Sequence, residues 1–361
     1  MLNQMTAIVV EKKPDVFLLC GDVYHTPQPS AAVQTMLTDA MVKIHQANPT
    51  MAIVMTAGNH DSGSKHEIFR TPWRSLNVFA IGQLEKDEID EHIIEVPEQG
   101  FVIAIPYANE RNIPDGFFQQ LLDRVAERNT KDLPVVMMAH ITVKGCDFTG
   151  HDRATEYAVG GIDSFGLEQF GEGYDYLALG HIHHEQFVHS GRHNVRYCGT
   201  PLAVSFDECY GHSVSLVELG KHGDRPVVTT IEIVNPHPLV TLPTAGFASW
   251  EETKRLLGEY PNDIPAYIRL NVEVDGFLPE EAFAEASRLT ADKQCRFCCI
   301  NTRRKTIQPA DAQTLSVQEF QSEAPAEIVK RFFDDSGFNF DDELETVFKE
   351  ALAMVEEDAR K

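Results

Sequence analysis

The sequence predicts an α/β protein: two β-sheets stacked as a sandwich with helices outside, then a small α+β module and a helical tail. Three observations predict it. Over the first half, continuous apolar runs alternate with helix-spaced apolar patterns, as a sheet covered on both faces requires. From Arg196 to Ile233 the strands shorten and no helical pattern separates them, which reads as a second sheet packed on the first. A proline-rich stretch, VNPHPLVTLPTAG (234–246), then breaks the pattern and opens a new unit.

Taken in order, Leu2, Met5, Ile8 and Val9 recur at helical spacing, and VFLLC (16–20) reads as a strand. Val33, Met36, Leu37, Ala40, Met41 and Ile44 mark a second helix, followed by the strand AIVMTA (52–57). Phe117, Phe118, Leu121, Leu122 and Val125 mark another helix ahead of VVMMA (135–139), and YLALG (176–180) is a further strand. Beyond the break come a helix near Trp250–Tyr260, the strand AYIRLNVEV (266–274), a helix near Pro279–Leu289 and FCCINTRRK (297–305). After Ala310 the chain is polar until two helical patterns, AEIVKRFF and DDELETVFKEALAMVEE, on either side of DDSGFNFD. The expected division is a main domain over 1–235, a small module over 236–310 and a helical tail over 321–361. Apolar stripes on that tail (Phe332, Phe333, Val347, Phe348, Leu352, Met354) suit either packing on their own domain or docking on a partner helix.

Composition narrows the class. With 43% hydrophobic and 24% charged residues, the 361-residue chain is an ordinary globular protein. No apolar run approaches the roughly 18 residues a membrane span needs, and MLNQMTAIVVEKKPD does not read as a signal peptide. Seven scattered cysteines make no disulfide framework, so a reducing cytoplasm is expected. Cys295-x-x-Cys298-Cys299 has zinc-like spacing but no second ligand pair beside it. A net charge of −24 weighs against holding nucleic acid by bulk attraction. A local basic run such as Arg303-Arg304-Lys305, a metal, or a partner could still bring nucleic acid in. Twelve of the acidic residues, against five basic ones, fall in residues 321–361, which makes the tail a solvated acidic surface.

The chemistry lies at the strand ends. VFLLC runs into Gly21-Asp22-Val23-Tyr24-His25, AIVMTA into Gly58-Asn59-His60-Asp61, VVMMA into His140, and YLAL into Gly180-His181-Ile182-His183. Each piece alone is commonplace: a strand-end Asp is usually a turn or a helix cap. Together they deliver a carboxylate, a carboxamide and imidazoles to the carboxyl edge of a sheet, where open α/β folds place their sites. That ligand set suits Mn²⁺, Fe²⁺ or Zn²⁺ rather than Ca²⁺ or a thiolate site. The glycines ahead of the ligands permit sharp turns and close backbone approach.

This ordered set, GDVYH, GNHD, a strand-end His and GHIH, resembles the calcineurin-like metallophosphoesterases. AGNHDS, the Val159-Gly160-Gly161 stretch, YDYLALGHIH, YCGTPLAVSFDE and the C-terminal helices resemble the SbcD family within them. The resemblance implies a two-sheet sandwich holding two divalent metals, expected to be Mn²⁺, with a capping domain over 236–310. It implies that Asp22 bridges the metals, that Asn59, His140 and His181 complete one site, and that His183 ligates the other. His60, with His25 beside it, is implied to meet the scissile phosphate. Two cations about 3.5–4 Å apart can clamp a phosphodiester and lower the pKa of a bound water, and a placed histidine adds on the order of 10²–10⁴ in rate.

One family motif is missing: Asp-x-His on a strand ahead of the first helix. The sequence opens inside what reads as that helix, so the expectation is a truncated sequence, impaired at the His183 metal, or else loss of one metal. The expected function is metal-dependent DNA cleavage in recombination, repair and replication, by exonuclease and endonuclease action. The expected partners are DNA and an SbcC-like coiled-coil ATPase gripped by the tail, in a heterotetramer built on a homodimer, with no membrane contact. The alternatives are a small-substrate metallophosphatase or cyclic-nucleotide phosphodiesterase, or a non-catalytic adaptor that tethers the ATPase. The chain has no Gly-x-x-x-x-Gly-Lys-Ser/Thr loop, so ATP dependence would have to come from the partner.

Overall fold

The computed structural model describes residues 1–149, 164–189, 192–305, 325–335, 341, 344–349 and 352. The Val159-Gly160-Gly161 stretch and Met354 lie outside the described residues. The apolar runs become two facing sheets. β1 (Val16–Cys20), β2 (Ala52–Thr56) and β3 (Val78–Ile81) form a parallel sheet in that order. A second sheet has the order β4 (Ile93–Val96), β5 (Gly100–Ile105), β6 (Val135–His140), β7 (Tyr176–Gly180), β9 (Val195–Tyr197), β8 (Gln186–Phe187). Its four inner strands are parallel, and β4 and β8 close its edges antiparallel.

Strand alternation explains why both sheets read as unbroken apolar runs. Ala52 and Val54 of β2 face a core shared with Val102 and Ala104 of β5, Met138 of β6 and Ala178 of β7. Ile53 and Met55 point the other way, onto Val9 of α1 (Leu2–Lys12) and Met41 and Ile44 of α2 (Ala31–Ala47). On the far side, Ile103, Met137 and Leu177 meet Phe117, Leu121 and Val125 of α5 (Phe117–Arg128). The layers are helix, sheet, sheet, helix, so the inner strands β2, β5, β6 and β7 are buried on both faces.

The sandwich and its flanking helices accord with the sequence reading, but the assignment of strands does not. The ligand-bearing strands belong to two sheets, not one: β1 and β2 to the first, β6 and β7 to the second. Residues 196–233 do not supply a whole second sheet. β9 joins the six-stranded sheet, and β10 (Ser213–Glu218) pairs antiparallel with β11 (Val227–Glu232) as a separate hairpin. Burial carries no partner label, so continuous apolar strands look alike in either sheet. The sequence reading does not extend to β3, β4, β5 or the short helices α3 (Gly63–Ile68) and α4 (Arg70–Arg74), although NVFAIG and HIIEVPEQGFVIAIPY carry strand signals.

By contact the described residues divide into two units: Met1–Val272 with Pro279–Asn301, and Glu273–Leu278 with the described part of Thr302–Lys361. In the first, α6 (Trp250–Glu259) and α7 (Ala282–Thr290) accompany β12 (Leu239–Leu242) and most of β13 (Tyr267–Val274) and β14 (Arg296–Arg304), which form a sheet in that order. Ser249 caps α6 by accepting from the Glu252 amide, and Lys293 donates to the Leu257, Gly258 and Tyr260 carbonyls at its other end. Arg269 of β13 pairs with Asp207 at 2.7 Å and lies over the Phe206 ring. In the second unit, α8 (Pro325–Asp335) carries Phe332, and residues 344–349 are helical and carry Val347; both side chains are largely exposed.

Candidate metal centre

Four strand ends converge. After β1 the chain turns through Gly21, whose φ of +83° is left-handed, and delivers Asp22, itself at φ +47°. A Cβ on Gly21 would lie 2.1 Å from His140 Nδ1, and one on Gly58 2.1 Å from Asp22 Oδ1, so both positions are open only to glycine. His181, directly after β7, is also left-handed at φ +91°. Non-glycine residues in this region are uncommon, and they gather where a site over-determines the backbone.

The polar atoms meet closely. His140 is 1% exposed, and its Nδ1–H donates to the Cys20 carbonyl at 2.7 Å. That bond leaves Nε2 facing Asn59 Oδ1 at 3.0 Å and Asp22 Oδ2 at 3.2 Å. Asn59 Oδ1 also lies 3.0 Å from His181 Nδ1. With the Nδ1 proton committed, a neutral His140 turns a lone pair toward two electron-rich oxygens. Only an added proton or a cation reconciles that arrangement, so the donor set fits a divalent metal. Among the described residues, ligand atoms of Asp22, His140 and His181 lie within 4.8 Å of one another. Burial would raise the Asp22 carboxyl, but the hydrogen bond and charge of His140, with the His60 amide, outweigh it and hold the group at about 2. Asp22 is therefore anionic across the physiological range.

His60 is tied to this centre through its backbone, which donates to Asp22 Oδ1 at 2.9 Å. Its ring is exposed and stacks on His25, with centroids 5.5 Å apart. His60 Nδ1–H donates to the His25 carbonyl at 3.0 Å, which leaves Nε2 as the outward nitrogen. His183 is not part of the 4.8 Å cluster. Its Nδ1–H donates to Glu208 Oε1 at 2.9 Å.

Two residues near the site escape a reading of the sequence. Glu208 has a fully buried side chain, and besides His183 it accepts from Thr200 Oγ1 and the Val204 amide. It sits at the end of YCGTPLAVSFDE, but no spacing marks a lone Glu as a partner for histidine. Tyr107 follows β5, with its ring centroid 6.2 Å from His140 and 6.5 Å from His181. Its apolar run, FVIAI, is as long as those of β1 and β2, but it ends in IPYA, without the Asp, Asn or His that marks the other strand ends.

A family model described as calcineurin-like phosphoesterase matches residues 2–185. Among curated proteins, the chain is 29% identical to the SbcD subunit of the SbcCD nuclease of Rhodobacter capsulatus over 279 residues, which covers 70% of this chain and 67% of that protein. It is 25% identical to the SbcD subunit of the SbcCD nuclease of Escherichia coli K12 over 296 residues, covering 73% and 69%. The protein of that name from Bacillus subtilis is 27% identical over 259 residues, covering 66% and 64%.

Proposed function

The chain belongs to the calcineurin-like phosphoesterase family, and from that premise we propose that it is the metal-dependent nuclease subunit of an SbcCD-type complex, acting on DNA phosphodiesters. The observation that carries the reading is the meeting of Asp22, Asn59, His140 and His181 at the ends of strands from two sheets. The similarity to SbcD subunits of the SbcCD nuclease supports DNA as the substrate and a coiled-coil ATPase as the partner. Action in the cytoplasm fits this reading, and among the described residues no helix is long and apolar enough to cross a membrane.

Asp22, Asn59, His140 and His181 would hold one cation, and Asp22 with His183 a second. Divalent cations bound there, Mn²⁺ by preference, would supply Lewis acidity to the phosphate and lower the pKa of the attacking water. The rest is done by the chain. Asp22 brings a permanent negative charge that its neighbours stabilise. His140 is kept in one tautomer by the Cys20 carbonyl, so its Nε2 needs no reorganisation. His60, in its doubly protonated form, presents Nε2–H to the leaving oxygen while Nδ1 stays on the His25 carbonyl. Glu208 orients His183 in the same manner as Cys20 orients His140.

Calorimetric titration of the 361-residue chain with Mn²⁺ tests the centre. Asn59→Ala or His140→Ala should weaken binding by tenfold or more, as loss of a coordinating group does. Wild-type affinity in either variant would exclude the site.

A further inference from the structure

Asp61 has no part in the roles above, yet its side chain is fully buried. An isolated carboxylate is expensive to bury unless it is thoroughly hydrogen-bonded. Asp61 is: Oδ2 accepts from the Val23 amide at 3.0 Å and the Gly58 amide at 2.8 Å, and Oδ1 accepts from the Tyr24 amide at 2.9 Å. His66 Nε2 of α3 stands behind it, 3.8 Å from Oδ2.

The donors' places in the chain matter more than their number. Val23 and Tyr24 directly follow Asp22 on the loop after β1, and Gly58 directly precedes Asn59 on the loop after β2. A carboxylate serving only its own turn would bond Gly58 alone. Two of the bonds instead reach back 37 and 38 residues to the other loop. One side chain therefore joins the two loops that carry the carboxylate and the carboxamide of the metal centre. We propose that Asp61 is a positioning residue that sets the separation and orientation of Asp22 and Asn59 before any cation arrives. The proposal rests on the reading of those two residues as ligands.

Asp61→Asn, nearly the same shape, is the decisive variant. Its single carbonyl oxygen can serve the Val23 and Gly58 amides or the Tyr24 amide, and its NH₂ then opposes the other N–H. In the metal-free 361-residue chain, hydrogen exchange at the Val23, Tyr24 and Gly58 amides should accelerate at least about tenfold, while that of Met137 and Met138 in β6 stays unchanged. Mn²⁺ affinity should fall on the order of 10- to 100-fold, and the electron paramagnetic resonance of bound Mn²⁺ should broaden at saturation. Asp61→Ala should do all of this more severely, and if it does not fold, Asp61→Asn decides alone. Asn59→Ala is run alongside. Wild-type Mn²⁺ affinity in Asp61→Asn, with affinity lost in Asn59→Ala, would overturn the positioning role and leave the metal centre standing. Undiminished affinity in Asn59→Ala would remove the centre itself, and the proposal with it.

Discussion

Asp22 keeps its negative charge because His140 and the His60 amide stand against it, so its contribution to stability depends on pH with a definite sign. The folded carboxyl titrates at about 2, below the roughly 3.9 of an unfolded aspartate. The stabilisation is therefore complete above about pH 4 and is lost as pH falls through about 2; it amounts to something on the order of 2 kcal/mol in the metal-free chain. Urea unfolding of wild type and Asp22→Asn at pH 5 and pH 2.5 should show the gap between them narrowing on acidification. His60 separates chemistry from binding. His60→Ala removes a ring that is not among the clustered ligands Asp22, His140 and His181, so Mn²⁺ affinity should persist while kcat falls on the order of 10²–10⁴. Loss of metal in that variant would reclassify His60 as a ligand. The residue types at these positions can be read from the sequence because each follows an apolar run. Glu208 cannot, because its meaning comes from a contact made 25 residues away with His183.

The strands act as rulers for the loops that follow them. Met137 is wholly buried on the α5 side of β6, three residues before His140. Met137→Ala should cost about 2–5 kcal/mol, as other deletions in close-packed cores do, and should weaken Mn²⁺ binding where the strand end shifts. Thermal melting with and without Mn²⁺ separates the two effects, and an unchanged metal-induced stabilisation would show that the strand end is rigid. Gly58→Ala is a sharper case. Its methyl would meet Asp22 Oδ1 at 2.1 Å and the Asp22 backbone nitrogen at 2.2 Å, so the loop that carries the carboxylate must move, and metal affinity should fall. At this scale the sequence is legible where a pattern repeats. α1, α2 and α5 lie where the apolar spacing puts them, and β1, β2, β6 and β7 where the runs stand. β3 and β4 have only four residues each, and β5, though as long as β6, is followed by a proline instead of a ligand-type residue, so no strand-end chemistry singles it out.

For the molecule as a whole, the tail offers the clearest test. Phe332 and Val347 are exposed at 67% and 58%, and exposed apolar stripes of this kind mark interaction surfaces. Deleting residues 321–361 should leave the melting temperature and Mn²⁺ affinity of the remainder near wild type, and should abolish capture by the coiled-coil base of an SbcC-like ATPase. Asp341, an exposed acid at the start of the last helical stretch, would orient the contact against basic groups of that partner; Asp342 and Glu343, expected to share that duty, lie outside the described residues. Unfolding of the whole chain on deletion would make the stripes core, and surviving capture would move the contact elsewhere.

By itself the sequence set out the candidate ligands: a carboxylate, a carboxamide and histidines stand just past apolar strands, in an order that resembles the calcineurin-like phosphoesterases. Which strands lie side by side was decided only in three dimensions. Hydrophobic burial is non-directional, and a strand buried on both faces looks the same in either sheet of a sandwich. It took the facing of β1 and β2 against β6 and β7 to bring His140 onto the Cys20 carbonyl and Asn59 Oδ1 between two imidazoles. The same packing gave Asp61 and Glu208 their partners, through hydrogen bonds whose two ends stand far apart in the chain.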